Sequence, residues 1–204
     1  FAAVLTRTRH LDQLRTWQQD HHWQRFTAGE LAGKRMTLVG RGRIGGQIIR
    51  VARAFDMQVS AVGRQGDPGR AATLGVDRYV STARLGELLP ETDVLVIAAP
   101  HTGETDHLIG KAEFDLLPEG SWFINIGRGA VVDESELIGR LQSGHIAHAA
   151  LDVFAVEPLP EDSPIWDMEQ VIVSPHCSAN APRENERILE IFLRGADPFH
   201  FSVE

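Results

Sequence analysis

Met36-Thr37-Leu38-Val39-Gly40-Arg41-Gly42-Arg43-Ile44-Gly45 is the stretch on which the fold turns. A short apolar run, Met36–Gly40, enters a G-x-G-x-x-G pattern, and an apolar helical period over Ile44–Phe55 leaves it. Strand, glycine turn and helix in that order are the context that gives the pattern meaning as a dinucleotide loop. The three glycines then have separate tasks. Gly40 permits the tight turn, Gly42 lets a pyrophosphate approach the backbone, and Gly45 lets helix and strand touch. The new helix presents free N–H groups and the positive end of its dipole to the phosphates.

Outward from this loop the chain alternates strands with helices. Val59–Gly63, Val94–Ala99, Trp122–Ile126, Ala147–Val153 and Val171–Ser174 read as strands. Asp133–Ser143 reads as a helix, with Asp133 as N-cap, Glu136 three residues on, and Gly144 past its end. Ala181–Leu193 reads as a last helix. Strands apolar on both faces imply a parallel sheet covered on both sides, hence an α/β Rossmann-type doubly wound sheet. Residues 3–26 are mostly helical in pattern, and Trp17, Trp23 and Phe26 there want a partner surface. The expected organisation is one dinucleotide-binding domain: a leading segment over 1–30, the Rossmann core over 31–180, and a C-terminal helix and tail over 181–204.

Composition excludes several classes. The 204 residues carry 20 Lys and Arg against 28 Asp and Glu, a net charge of −8. That balance argues against nucleic-acid or anionic-membrane binding. The single Cys177 can form no internal disulfide and fits a reducing cytoplasm. No apolar run approaches the roughly 20 residues of a membrane span, and no leader peptide opens the chain. The chain starts at Phe1, not at a methionine, so a fragment, a processed chain or the ordered part of a longer one all fit.

Where a carboxylate would take a ribose 2′-hydroxyl, about 20 residues past the glycines, the sequence has Gly63-Arg64. This removes a charge that repels a 2′-phosphate and adds a guanidinium fork, with Arg70 nearby, which favours NADP over NAD. The alternative is an Arg64 that only points to solvent.

Three residues suit the reduction of a keto acid. Arg128, in the turn Ile126-Gly127-Arg128-Gly129 at a strand's carboxyl end, can hold a carboxylate bidentately. His176, after the strand Val171–Ser174, is the natural proton donor at neutral pH. Glu157 would hydrogen-bond His176, fix its tautomer and raise its pKa by favouring the imidazolium. Read singly, each has a plainer alternative: a surface turn arginine, a cap or loop carboxylate, a satisfied core histidine. Cys177 beside His176 is no nucleophile pair if both lie on one extended strand, where neighbours point opposite ways. His145 and His148, or His21 and His22, lack the ligands to complete a metal site.

Together, Val39–Gly45, Ile124–Asp133, Leu151-Asp152-Val153-Phe154 with Glu157-Pro158, and Ser174-Pro175-His176 resemble the D-2-hydroxyacid dehydrogenase family from about Leu14 to Leu193. The resemblance implies reduction of a small 2-keto acid to a D-2-hydroxy acid, or the reverse, with NADP or NAD. It implies that Arg128, Glu157 and His176 are catalytic, and that Arg128 and His176 also contact the cofactor. It further implies that Asp152 orients the nicotinamide carboxamide, that Ala99, Pro100 and Thr105 line the cofactor cleft with Ile126 and Gly127, and that the leading segment packs across a two-fold axis in a homodimer. The family's N-terminal substrate domain has no counterpart in the chain, and Gly195-Ala196-Asp197-Pro198 interrupts the last helix. A cofactor-sensing interaction protein of corepressor type, built on the same fold, is the alternative function.

Overall fold

The computed structural model describes residues 1–183 together with 185, 186, 189 and 190. Seven strands form one sheet: β1 Arg35–Val39, β2 Gln58–Gly63, β3 Arg78–Ser81, β4 Val94–Ile97, β5 Ser121–Asn125, β6 Ile146–Leu151 and β7 Val171–Val173. Their order is β3-β2-β1-β4-β5-β6-β7, and every neighbouring pair is parallel. Among the described residues the α-helices with defined bounds are α1 Ala2–Thr8, α2 Leu11–Gln19, α3 Arg43–Ala54, α4 Lys111–Leu116 and α5 Glu134–Gln142.

The unbroken apolar strands are explained by two cores, one on each face. Met36, Leu38, Val94 and Val96 face Val4 of α1 and Ile49 and Ala52 of α3. Their neighbours Val39, Leu95 and Ile97 face Phe114 of α4 and Leu137 and Leu141 of α5. Because all strands run the same way, every loop after a strand's carboxyl end opens on one edge. The direction of winding reverses between β1 and β4, where a crevice forms in sheets of this kind.

The expected strands and the helices over Ile44–Phe55 and Asp133–Ser143 are present within a residue or two. Asp133 caps α5 by accepting from the Ser135 and Glu136 amides at 3.1 and 3.2 Å, but the capping box is not closed. The Asp133 amide donates instead to the Ile109 carbonyl at 2.9 Å. The leading segment is less helical than its pattern predicts. His10 and His21 adopt left-handed backbone conformations, at φ 53° and 52°, which end one helix after Thr8 and the other after Gln19. Trp23 and Phe26 therefore lie on an irregular return strand, tied back where Gly29 N donates to Thr8 O at 3.0 Å. The short edge strand β3 and the six-residue α4 were not expected. Of the expected helix Ala181–Leu193, residues 181–183 are not helical, and 184, 187, 188 and 191–193 lie outside the described residues, as does Gly195–Pro198 wholly.

Candidate active site

The glycine loop has the geometry its residue types require. Gly40 has φ +101°, and a Cβ there would lie 2.5 Å from the Ala99 amide, so the ends of β1 and β4 are in close contact. A Cβ on Gly45 would lie 2.3 Å from the Gly40 carbonyl oxygen, which is the helix-on-strand contact. A Cβ on Gly42 would meet nothing within 4 Å. The loop is thus open on the side where a pyrophosphate would approach the first turn of α3. Arg41 and Arg43 are exposed beside it, and Ile44 is 57% exposed, an apolar side chain at the mouth of the crevice. These residues fit a nicotinamide dinucleotide.

The loop after β4 is held from within. Thr105 Oγ1 donates to the Pro100 carbonyl at 2.7 Å and accepts from the Thr102 amide at 2.8 Å. Ala99 is buried and Pro100 exposed. Thr105 is therefore a brace of the cleft wall more than part of its surface.

The loop after β5 carries Arg128 on a turn that only glycines permit. A Cβ on Gly127 would lie 2.6 Å from the Ala99 carbonyl oxygen, and one on Gly129 would lie 1.9 Å from that of Phe154. Buried Asn125, which sequence reasoning missed, ties the turn. Its Oδ1 accepts from Gly127 N at 3.0 Å and its Nδ2 donates to Arg128 O at 3.1 Å. Ile126 is half-buried, and Arg128 is exposed with Nη1 donating to Gly127 O at 2.6 Å. Its other donors are free for a ligand among the described residues.

The loops after β6 and β7 bring Glu157 and His176 together. Glu157 Oε1 accepts from the Phe154 amide at 3.0 Å, and its Oε2 lies 2.8 Å from His176 Nδ1. The hydrogen bond from His176 holds the Glu157 carboxyl below its ordinary range, against a smaller upward push from burial, and the Phe154 amide and the Arg128 charge act in the same direction as His176. An ionised carboxylate accepts only, so Nδ1 carries the proton in this pair. The tautomer is set, and Nε2 has no hydrogen-bond partner among the described residues. His176 itself sits in the left-handed region, at φ 50°, a conformation that side-chain-bearing residues hold only where their surroundings impose it.

Asp152 ties down the chain on both sides of it. The residue is 5% exposed. Its Oδ1 accepts from the Ser174 hydroxyl and from Cys177 N at 3.0 Å, and its Oδ2 accepts from Ser178 N at 3.1 Å and Ser178 Oγ at 2.5 Å. Burial pushes the Asp152 carboxyl up, but these four donors together hold it below its ordinary range. The carboxylate expected to orient a carboxamide is thus engaged in pinning the 174–178 loop from beneath. Cys177 and His176 lie beyond the end of β7 and not on an extended strand, so their separation follows from this pinning, not from strand alternation. Phe154, Glu157, Leu159, Trp166, Val173 and His176 line an open cleft of about 410 Å³, and the Trp166 indole donates to Pro160 O at 2.8 Å. Sequence reasoning also missed Glu134, whose Oε2 accepts from Ala155 N at 2.9 Å. His145 Nε2 lies 3.0 Å from the Phe114 carbonyl.

Residues 1–178 match a family described as D-isomer specific 2-hydroxyacid dehydrogenase, NAD binding domain. The chain is 36% identical over 182 residues to a D-3-phosphoglycerate dehydrogenase of Bacillus subtilis, covering 88% of this chain and 34% of that protein. It is 36% identical over 193 residues to a glyoxylate reductase of Aeropyrum pernix, covering 90% and 56%. The chain therefore spans about a third to just over half the length of these curated relatives. Among solved structures, a D-isomer specific 2-hydroxyacid dehydrogenase from Xanthobacter autotrophicus Py2 in complex with NADPH and MES is similar with a TM-score of 0.80 and 34% identity, over 94% of this chain and 78% of that one. These relatives give no support to an interaction protein of corepressor type. No helix among the described residues is long and apolar enough to cross a membrane.

Proposed function

This chain belongs to the D-isomer specific 2-hydroxyacid dehydrogenase family through its NAD binding domain, and we propose that it serves the reduction of a small 2-keto acid to a D-2-hydroxy acid, or the reverse, with NADPH preferred over NADH. The observation that carries the reading is the Glu157–His176 pair at 2.8 Å, with the Arg128 charge near enough to act on the same Glu157 carboxyl. The bound nicotinamide supplies or accepts the hydride. Arg128 holds the substrate carboxylate with its fork. His176 donates the Nε2 proton to the carbonyl oxygen as that carbon is reduced, and Glu157 steadies the imidazolium beforehand. Asp152 keeps the loop that carries His176 in place, and Ile44 offers an apolar surface at the mouth of the crevice.

The preference for NADPH rests on Gly63-Arg64, where no carboxylate meets the ribose, and on exposed Arg64 and Arg70, which form no ion pair among the described residues. The NADPH complex of the Xanthobacter relative agrees with it. Residues 1–30 serve as an assembly segment, 31–180 as the cofactor core, and 181–204 as the terminal helix and tail; the substrate-domain wall that would close the cleft has no counterpart among these residues. A homodimer follows from the exposed large apolar side chains that the leading segment carries, Leu11, Leu14, Phe26 and Trp23, the last 93% exposed, and a cytoplasmic location from the single free cysteine. Oxidation of NADPH in the presence of glyoxylate or hydroxypyruvate, followed by absorbance, tests the assignment; indifference to every small 2-keto acid by protein with bound NADPH would reject it.

A further inference from the structure

β2 ends at Gly63, the position from which a side chain would reach a cofactor ribose. The space that such a side chain would use is filled from the next strand. In the β2–β3 register Ala61 pairs with Tyr79 and Gly63 with Ser81, so Tyr79 and Gly63 share a face of the sheet. The Tyr79 side chain runs forward along that face. A Cβ on Gly63 would lie 2.2 Å from the phenol oxygen and 3.0 Å from Cζ. The ring is half-buried and packs with the core that includes Val59, Ala61 and Ile49 of α3. It is therefore anchored on the same face as the helix whose first turn meets the phosphates. Its hydroxyl is not sealed from solvent without a partner.

The surrounding corner favours an anion. Gly66 has φ +54°, and a Cβ there would lie 2.0 Å from the Ser81 amide, so the loop after Arg64 is folded down on the end of β3. This keeps Arg64 and Arg70 on the rim, both exposed. The nearest carboxylate in the loop, Asp67, is turned to its own backbone, accepting from Gly69 N at 2.9 Å.

We propose that the Tyr79 hydroxyl, standing where residue 63 has no side chain, is a specificity-determining donor to the 2′-phosphate of an NADP-type cofactor, beside Arg64. The proposal rests on the reading of Gly63-Arg64 as a 2′-phosphate site. It also accounts for glycine at 63, since any larger residue displaces the phenol. A neutral hydroxyl donates to the phosphate without the repulsion of the acidic residue otherwise expected here, and a hydrogen bond to a charged group is a strong one.

The test is calorimetric binding of adenosine 2′,5′-bisphosphate and of adenosine 5′-monophosphate to the parent, Tyr79→Phe and Arg64→Ala proteins, with circular dichroism to confirm the fold. The parent is expected to prefer the bisphosphate. Tyr79→Phe is expected to lose about tenfold or more in affinity for it and to bind the monophosphate as the parent does. A parent that prefers the bisphosphate, with Tyr79→Phe unchanged and Arg64→Ala weakened, would overturn the tyrosine's role and leave the arginine reading standing. A parent without preference would overturn both. Equal loss of both probes in Tyr79→Phe would mark the hydroxyl as a packing element only and also overturn the proposal. Gly63→Ala, which pushes the ring aside, should reproduce the selective loss.

Discussion

The two ends of the candidate site are built on opposite plans. At the catalytic end, between β6 and β7, nearly every polar group is already bonded: Asp152 to the 174–178 loop, Glu157 to Phe154 N and His176 Nδ1. At the phosphate end, between β1 and β3, Arg41, Arg43, Arg64 and Arg70 stand exposed around an open glycine loop and find no ion-pair partner among the described residues. The difference is physical in origin. Proton transfer needs a preset angle and tautomer, so its groups are fixed by the protein itself. Phosphate binding needs charge and access, and desolvated ion pairs formed in advance would compete with the ligand. A change at one end should therefore leave the other end's task intact.

The largest expected break of that symmetry is His176→Ala. It should lower kcat for keto-acid reduction on the order of 10²–10⁴-fold, the range of general acid catalysis, while the Kd for NADPH in a fluorescence titration stays near that of the parent. The mirror-image variant, Arg64→Ala, should weaken NADPH binding by roughly tenfold to a hundredfold and leave NADH binding unchanged. Equal losses for the two cofactors would show that Arg64 does not meet the 2′-phosphate.

Asp152→Asn sharpens the comparison inside the catalytic end. It retains the shape but exchanges a carboxylate oxygen for a donor facing the donors of Cys177 or Ser178. The cost of buried groups left unpaired is about 1–3 kcal/mol, so thermal unfolding should come at lower temperature and kcat should fall without a matching loss of NADPH affinity. A variant with parent stability and parent kcat would mean that the clamp does not hold His176.

The smallest effects are in pH dependence. Glu157 and Asp152 are both held below their ordinary carboxyl values. Each therefore contributes stability that is present above the ordinary carboxylate range, about pH 4, and is lost as the pH falls through the lowered native value. Unfolding temperatures measured from pH 7 down to pH 3 should drop at the acid end, and Asp152→Asn should flatten that drop. In turnover, Glu157→Gln should lower kcat for reduction without a matching loss of NADPH affinity, because the His176 ring loses the carboxylate that orients it. A parent kcat would separate Glu157 from the proton donor.

What was legible in the sequence were interactions that close over a few residues. Gly40, Gly42 and Gly45 show their tasks because turn, approach and packing all fall within one loop, and Asp133 shows its cap because its partners are Ser135 and Glu136. Arg128, Glu157 and His176 were found through residue chemistry and motif order. The unseen parts are mostly long-range. Glu134 reaches Ala155 across 21 residues, and Asp152 holds a loop 22 to 26 residues on; Asn125 acts locally, on Gly127 and Arg128, but sits at the end of an apolar strand where no turn pattern marks it. Tyr79 is on β3, four residues between a glycine loop and a 3₁₀ turn, too short and too polar in pattern to read as a strand. The left-handed turns at His10 and His21 interrupt a helical period that the apolar spacing alone would continue.

The most direct test of the account is the product of a single reaction. Protein with its cleft complete is supplied with NADPH and hydroxypyruvate, NADPH loss is followed by absorbance, and the glycerate is resolved by chiral chromatography. The account predicts D-glycerate in a one-to-one ratio with NADPH consumed. L-glycerate, or bound NADPH consumed with neither hydroxypyruvate nor any other small 2-keto acid, would contradict it.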